Sequence, residues 1–366
     1  MSTALMLNTT PLEQEHIRLG AKMVAFGGWH MPIQYSQGIL AEYEANRRAV
    51  TILDCSHMGE FLVEGDARQS GLDHIVTQTI TDMPIKTCRY GAMLNDNGGI
   101  IDDLIVYRKA QDQWMIVVNA SNIEKNAEHF KRSLTPQSHF EDVSMKTGKL
   151  DLQGPRSRDV LRPLVGGIET LAYYSFDQFR LLDVDVLISR TGYTGELGYE
   201  IYCPWEKTSF LWNQFLKIDK VTPCGLGVRD VLRTEMCYSL YGHELDEAVT
   251  PLEAGISFFV DFKKDFIGKD ALSRQKTSGA QKKIAYFISD SRRSPRAGHQ
   301  LWDAEGLSVG TVTSGTFSPG LQRGIGIGFV DALAAKEGRL FFGDAKVREP
   351  ASFTKRPFYK QGSLKD

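Results

Sequence analysis

Two adjacent carboxylic acids, Asp102 and Asp103, stand in an apolar stretch at residues 100–107 that reads as the second strand of a β-hairpin. Because side chains alternate along a strand, the two aspartates point to opposite faces, which argues against a carboxylate dyad. Asp102 lies closer to the hairpin turn and suits a structural hydrogen bond. Asp103 lies among apolar neighbours, where an ionised carboxylate is costly and its proton affinity is commonly perturbed. This is a property of acid–base groups, although a surface aspartate on an edge strand is the plainer alternative.

A glutamate, Glu200, follows a turn with three glycines at intervals of three residues, Gly192, Gly195 and Gly198. This spacing matches neither the dinucleotide fingerprint nor the phosphate-binding loop. A carboxylate fixed in a strand after such a turn can accept two parallel hydrogen bonds from an amidine-like N–H edge, as on pterin or guanine. The alternative is a glutamate that stabilises the turn or forms an ion pair.

Two arginines, Arg229 and Arg233, lie four residues apart on a predicted helix that a glycine-rich segment opens at residues 223–227. Residues at this spacing share one helix face. Two guanidinium groups on one face can hold a carboxylate or the carbonyl edge of a heterocycle. The alternative is a simple ion pair between Arg233 and Asp230 on the helix surface.

The composition narrows the classes of function. The chain carries 43 basic and 45 acidic side chains, and this balance gives no global field that would attract nucleic acid or a membrane surface. The five cysteines form no Cys-x-x-Cys pair and the eight histidines show no metal-ligand spacing, so we expect reduced thiols and no metal. The first eight residues lack the features of a signal or transit peptide, which predicts a cytoplasmic protein.

The chain length predicts more than one domain, since 366 residues exceed the roughly 250–300 at which single cores stop growing. Strands interleave with helices over the first 270 or so residues, which indicates α+β domains with largely antiparallel sheets. Short strands separated by glycine and proline turns follow residue 281 and predict a small β-barrel or sandwich. The polar stretch at residues 273–283 reads as a linker.

Eight sequence blocks, in order along the chain, closely resemble the aminomethyltransferase T-protein family of the glycine cleavage system. The blocks are residues 20–35, 54–59, 98–107, 152–155, 190–201, 225–235, 240–247 with 250–255, and 312–319. The match runs from about Thr10 to Lys360, which is essentially the whole chain.

The resemblance implies a three-domain cloverleaf around a central channel. Two α+β domains are expected at residues 1–145, with segments returning from 240–275, and at residues 146–272. A C-terminal β-barrel is expected at residues 280–366. The family transfers the one-carbon unit of an aminomethyl group, carried on the dihydrolipoyl arm of the glycine cleavage H-protein, to tetrahydrofolate. The products are 5,10-methylenetetrahydrofolate and ammonia, and the other components of the cleavage system are implied as partners.

The resemblance also implies site residues by position. It places the catalytic aspartate at Asp103 and the folate-binding glutamate and arginine at Glu200 and Arg229. Further positions line or approach the channel: Met58, Tyr90, Tyr193 and Tyr241. A folate-proximal position that is arginine or tyrosine in relatives aligns with Lys360. Cys55 stands where an aliphatic residue is usual, which alters packing near the site and removes no reacting group.

Two alternatives stay open within the same superfamily. One is a folate-dependent demethylase that acts on a free small substrate, and the presence of Asp103 with the whole-chain match counts against it. The other is a non-catalytic folate-binding protein of the type associated with iron–sulfur assembly. Those relatives carry a Lys-Gly-Cys-Tyr-x-Gly-Gln motif, whereas residues 190–196 read Arg-Thr-Gly-Tyr-Thr-Gly-Glu here.

Overall fold

A computed structural model describes residues 6–333, 338–344 and 346–366, so the first five residues used in the targeting argument lie outside the described part. The described part begins with a small three-stranded sheet and one strand of a larger sheet. The elements are β1 (Asn8–Thr9), α1 (Glu13–Arg18), β2 (Lys22–Phe26), β3 (Trp29–Gln34), α2 (Gly38–Arg48) and β4 (Val50–Asp54). β3 is the central strand of the small sheet, parallel to β1 and antiparallel to β2.

A five-stranded antiparallel sheet follows, in the order β6-β7-β8-β5-β9. Its segment contains β5 (Gly59–Glu64), α3 (Leu72–Ile75), β6 (Thr87–Leu94), β7 (Ile100–Ala110), β8 (Gln113–Val118), a 3-10 turn (Ala120–Asn122), α4 (Ile123–Ser133), β9 (His139–Asp142) and a second 3-10 turn (Ser144–Lys146). Along β7, Leu104 and Val106 pack into the core under α4, whereas Ile105 and Tyr107 pack on the opposite face. This alternation directs neighbouring side chains of β7 into two different environments.

The next sheet has six strands in the order β11-β12-β13-β10-β4-β14, and only its β14–β4 pair is parallel. Its segment contains β10 (Thr147–Gln153), α5 (Ser157–Leu161), a 3-10 turn (Ile168–Thr170), β11 (Phe176–Leu181), β12 (Val184–Ser189), β13 (Gly198–Pro204), a 3-10 turn (Trp205–Lys207), α6 (Thr208–Phe215), β14 (Val221–Pro223) and α7 (Leu226–Glu235). The register of β10 and β13 places Asp151 directly opposite Glu200. Residues opposite each other in a ladder share one face of the sheet, so these two side chains meet.

The two large sheets contact each other through a mostly apolar cluster and through backbone hydrogen bonds. Tyr107 from β7 and Tyr202 from β13 belong to the same buried cluster. The Cys88 amide donates to the Tyr174 carbonyl (2.9 Å), and the Phe176 amide donates to the Lys86 carbonyl (3.0 Å). These bonds join the edge strands of the two sheets and fix their relative position.

The C-terminal part forms a closed six-stranded barrel in the order β15-β18-β17-β16-β19-β20. A 3-10 turn (Ser257–Phe259) and α8 (Lys269–Ser278) precede the barrel strands β15 (Lys282–Ser289), β16 (Gln300–Trp302), β17 (Ser308–Ser318), β18 (Arg323–Asp331), β19 (Arg339–Gly343) and β20 (Arg348–Thr354). The predicted fold class, two α+β units with largely antiparallel sheets and a β-barrel, is confirmed. Within the described part of the chain, no helix combines the length and the apolar character that a membrane crossing requires.

The predicted linker at residues 273–283 is wrong over most of its length, because α8 continues to Ser278 and β15 begins at Lys282. α8 is amphipathic around one fully buried side chain, Leu272, which lies just before the polar stretch. The predicted domain boundaries stay a prediction. The pairing of β4 with β10 places β4 in the same sheet as strands of the predicted second domain.

Arg233 connects α7 to the barrel. Its side chain is 1% exposed and donates to Glu244 (2.9 Å), to Ser314 on β17 (2.7 Å) and to Asp230 (2.8 Å). Other protein groups therefore bind the Arg233 guanidinium. Its ion pair with Asp230, which the sequence suggested as a surface pair, is one part of a buried network. Glu244 is fully buried and depends on Arg233 for its counter-charge.

We expect Arg233→Met to lower the apparent free energy of unfolding by about 3–5 kcal/mol, because it leaves the buried Glu244 carboxylate without its cation. Urea denaturation followed by circular dichroism measures this loss. Arg180→Met is the control, since Arg180 forms an exposed ion pair with Asp185, and such pairs contribute at most about 1 kcal/mol. Equal losses in the two variants would contradict the assigned role.

Candidate active site

Asp103 lies in β7, partly buried, with its carboxylate held from two sides. The Tyr90 hydroxyl on β6 donates to Oδ2 (3.0 Å), and the Asn119 amide just after β8 donates to Oδ1 (2.7 Å). Burial raises the pKa of Asp103 above its ordinary value, and the two hydrogen bonds oppose part of that rise. A carboxyl group whose pKa is raised in this way can take up and release a proton, as acid–base catalysis requires.

Asp102 is fully buried on the α4 side of the strand. Oδ1 accepts from the side-chain amides of Asn119 (2.8 Å) and Asn122 (2.9 Å). Oδ2 accepts from the Asn119 backbone N–H (3.1 Å) and the Asn126 side chain (2.5 Å). The structural role predicted for Asp102 therefore holds. The two carboxylates lie on opposite faces of the strand, as predicted, and the Asn119 amide nitrogen lies within hydrogen-bond distance of both.

Glu200 is buried in β13, and each of its oxygens accepts from protein donors. Oε1 accepts from the Lys149 ammonium group (3.0 Å). Oε2 accepts from the hydroxyls of Thr191 (2.8 Å), Tyr202 (3.1 Å) and Tyr107 (3.3 Å). The tyrosine donors come from both large sheets, so the position of Glu200 depends on how the sheets pack. Glu200 therefore does form an ion pair, which was the alternative considered from the sequence, and it does so in the interior of the protein.

Lys149 continues this chain of charges to Arg229. Its ammonium group, 1% exposed, also donates to Asp151 (2.7 Å), whose other oxygen accepts from Arg229 (2.9 Å). Burial alone would lower the pKa of Lys149, but Asp151 and Glu200 raise it above its ordinary value. Burial would raise the pKa of Asp151, but Lys149 and Arg229 hold it below its ordinary value. Two cations and two carboxylates thus alternate in one buried line, Glu200–Lys149–Asp151–Arg229, which we call the ion chain.

Arg229 forms the end of the ion chain that reaches solvent, with a side chain 17% exposed. Among the described residues, Arg229 donates its hydrogen bonds from Nη1, to Asp151 and to the Cys55 thiol (3.3 Å). Its guanidinium carbon lies 5.0 Å from the centre of the Tyr193 ring, in a cation–π arrangement. Nη2 and Nε are therefore the groups of Arg229 that a bound molecule can contact.

Tyr193 contacts Arg229, and the charge of Asp103 also acts on it. Its ring stacks on that of Tyr238 (5.5 Å between centroids), and its hydroxyl donates to the Ser239 carbonyl. Burial raises the pKa of Tyr193, and the charges of Arg229 and Asp103 act on it with opposite signs. The structure therefore brings four of the predicted residues toward one region: Asp103 with its partner Tyr90, and Arg229 with Tyr193.

The remaining predicted residues lie in different settings. Met58 is partly buried and packs against two clusters, one under α7 and one between the large sheets. The Tyr241 hydroxyl accepts from Lys125 on α4 (2.8 Å). Lys360 is exposed. The hydrogen bonds among the described residues connect neither Tyr241 nor Lys360 to Asp103, so the roles of these two residues stay predictions.

The sequence analysis missed three residues that position the site: Lys149, Asp151 and Asn119. Lys149 and Asp151 alternate with apolar residues on β10, and a strand with polar residues on one face normally turns that face to solvent. Because β10 is central in its sheet, those polar residues are buried and must find partners. For Asn119, the available signal was the spacing of Asn122, the N-cap residue of α4, and Asn126 within it, which places two amides on the same side at the start of the helix.

Comparisons with known proteins agree with this architecture. The family model described as GCVT N-terminal domain matches residues 12–264, and that described as glycine cleavage T-protein C-terminal barrel domain matches residues 282–360. An aminomethyltransferase of Pseudothermotoga lettingae is 41% identical over 365 residues, covering 98% of this chain and 99% of that protein. One of Halothermothrix orenii is 42% identical over 329 residues, covering 88% and 92%. The crystal structure of glycine cleavage system aminomethyltransferase T from Bartonella henselae matches with a TM-score of 0.91 at 31% identity, covering 98% and 99%.

We expect Lys149→Met to lower the apparent free energy of unfolding by about 3–5 kcal/mol, because Asp151 and Glu200 then face each other without the cation between them. Adding Glu200→Gln removes one of the two repelling charges. The double variant should therefore lose about 1–3 kcal/mol less than the sum of the single losses. Urea denaturation of the four proteins in this double-mutant cycle measures the coupling, and strictly additive losses would show that the ion chain is not a unit.

Proposed function

The chain belongs to the glycine cleavage T-protein family, and on that premise we propose that it is a tetrahydrofolate-dependent aminomethyltransferase. The one-carbon unit comes from an aminomethyl group on the dihydrolipoyl arm of the glycine cleavage H-protein. The products are 5,10-methylenetetrahydrofolate, ammonia and the reduced lipoyl arm. The partners in this proposal are the lipoylated H-protein and the other components of the glycine cleavage system.

One observation carries the mechanistic proposal: the charges of Asp103 and of Arg229, at the end of the ion chain, both act on Tyr193, whose ring centre lies 5.0 Å from the Arg229 guanidinium carbon. A flat ligand that contacts Arg229 therefore lies against aromatic rings and close to a carboxyl group with raised proton affinity. Positioning and proton transfer are together what a group transfer without net redox chemistry needs.

The donor set of the ion chain fits a pterin ring. Glu200 Oε1 accepts from Lys149 and retains acceptor capacity for an N–H of the ring edge. Arg229 keeps Nη2 and Nε for an acceptor atom, and Tyr193 offers an aromatic face. Tetrahydrofolate, when bound, supplies the amine nitrogen that receives the one-carbon unit. In this proposal Glu200 and Arg229 orient that nitrogen, and Tyr90 and Met58 line the channel.

The role proposed for Asp103 is to handle one proton. As an anion it accepts the proton that the reacting amine loses when the new carbon–nitrogen bond forms. Its partial burial excludes competing water, and the Tyr90 hydroxyl keeps the accepting oxygen in place. Positioned acid–base help of this kind contributes about 10²–10⁴ in rate.

The proposed site of action is the cytoplasm. All five cysteines are buried free thiols, which suits a reducing compartment. Tyr241 and Lys360 enter the proposal as residues that approach the bound folate. Tyr241 does so from the side of α4, where Lys125 holds its hydroxyl. Lys360 does so as an exposed charge near the C-terminus.

The test is tetrahydrofolate-dependent release of ammonia from aminomethylated H-protein. We expect Asp103→Asn to lower the rate of transfer by about 10²–10⁴, because the amide cannot accept the proton. Folate affinity, measured by calorimetry, should stay close to that of the unchanged protein, because Glu200 and Arg229 remain.

The control is Asp112→Asn, an exposed aspartate in the turn after the same strand, which should leave transfer unchanged. Equal transfer by the Asp103→Asn variant and the unchanged protein would defeat the role of Asp103. Turnover of a free methylamine or thioether without H-protein would favour the demethylase alternative. Folate binding without any transfer in the unchanged protein would favour a non-catalytic role.

A further inference from the structure

Asp102 has a complete shell of hydrogen-bond donors. Four N–H groups point at its two oxygens, two at each, from Asn119, Asn122 and Asn126. An ionised carboxylate offers about four acceptor sites, so the anion of Asp102 is fully satisfied. A proton on Asp102 would displace one of these donors and leave it buried without an acceptor, which is costly.

Asp103 has a smaller shell. Among the described residues, its carboxylate oxygens accept from Tyr90 and from Asn119. The side chain is also partly exposed, so a proton bound to it can find an acceptor without displacing a protein donor. The two aspartates therefore differ in which protonation state their surroundings favour.

Asn119 couples the two carboxylates. Its amide has two hydrogens, and the nearest acceptors are Oδ1 of Asp103 (2.7 Å) and Oδ1 of Asp102 (2.8 Å), with the Asp103 backbone carbonyl at 3.2 Å. Two buried carboxylates on one donor repel each other, and such pairs hold a proton between them to higher pH than an isolated carboxyl group does. Burial raises the pKa of both groups, and the charge of Asp103 raises that of Asp102 further.

The other ionisable groups around Asp102 and Asp103 do not decide which of the two carries the proton. They are Tyr90 on β6, Tyr193 in the loop before β13, Arg229 on α7, Lys125 on α4, and Tyr241 and Glu247 in the segment after α7. Burial raises the pKa of the three tyrosines, so they stay neutral. Lys125 pairs with Glu247 (2.9 Å) and Arg229 with Asp151 (2.9 Å), which cancels most of their fields.

We propose that Asp102 and its three asparagines form a positioning group that keeps the shared proton on Asp103 and thereby sets the pH at which Asp103 ionises. The proposal deepens the function proposed above. It rests on that function only in taking Asp103 as the group that accepts the proton during transfer. Removing a hydrogen-bond donor from Asp102 destabilises its ionised form. The shared proton then moves to Asp102, and Asp103 ionises at lower pH. Removing a donor from Asp103 has the opposite effect.

Asn126→Leu and Tyr90→Phe test the proposal as a pair with opposite outcomes. Asn126→Leu removes one donor from Asp102, and the acid limb of the kcat/KM profile for transfer should move down by about one pH unit. Tyr90→Phe removes one donor from Asp103, and the acid limb should move up by about one pH unit. Phe130→Leu is the control, because Phe130 is buried on the same helix in the apolar core and should alter stability without moving the limb.

Carbon-13 NMR of the protein labelled at the aspartate carboxyl carbon gives a readout independent of activity. The signal that disappears in Asp102→Asn belongs to Asp102, and the signal that disappears in Asp103→Asn belongs to Asp103. In the unchanged protein Asp102 should ionise at lower pH than Asp103, and in Asn126→Leu the two should approach each other or exchange order. Asp103 ionising first in the unchanged protein, or an order unaffected by Asn126→Leu, would overturn the proposal.

The two proposals fail in different ways. Signals that titrate in the expected order, in a protein that transfers no one-carbon unit, would refute the function and leave the proton placement intact. Active protein in which Asn126→Leu and Tyr90→Phe shift the acid limb in the same direction would refute the proton placement alone. A variant that only lost structure would lower kcat with no movement of the limb, and that outcome also counts against the positioning role.

Discussion

The structure around the site depends on one buried ammonium group, that of Lys149. Each charge of the ion chain costs several kcal/mol to remove from water, and the attraction between neighbours has to offset that cost. With two cations and two carboxylates the chain carries no net charge, so the interior tolerates it. Loss of Lys149 would leave Asp151 opposite Glu200 in the register of β10 and β13, with two negative charges in place of an alternating line.

This constraint fixes Glu200 and Arg229, the residues proposed to bind folate, before any ligand arrives. Arg229 is held by Asp151 and Cys55, and Glu200 by four donors, so neither side chain has to be ordered on binding. Preorganisation of this kind reduces the entropic cost of association. Asp103 differs, because it lies outside the ion chain and burial raises its pKa. The site thus combines fixed charges, which suit orientation, with one carboxyl group whose charge can change.

The sequence predicts the fold class, the sheet type and the barrel, because those follow from alternation, turns and length. It also singles out Asp103, Glu200 and Arg229 as residue types that can do chemistry. The partners of these residues could not be predicted from local pattern, since Lys149 reaches Glu200 only through the register of two strands about fifty positions apart. The linker prediction is wrong over the last six residues of α8 for a related reason: the burial of this helix rests on a single leucine, Leu272, which lies before the polar stretch.

Packing and chemistry share side chains at the junction of the two large sheets. The rings of Tyr107 and Tyr202 belong to the apolar cluster that joins the sheets, while their hydroxyls donate to Glu200. The cluster keeps water from the ion chain, and the lower effective dielectric strengthens each of its ion pairs. In return, the fixed position of Glu200 gives both hydroxyls an acceptor, in addition to the contact that they make with each other (3.0 Å) and that of Tyr107 with Ser189 (3.2 Å). The same contact therefore holds the sheets together and holds the carboxylate in place.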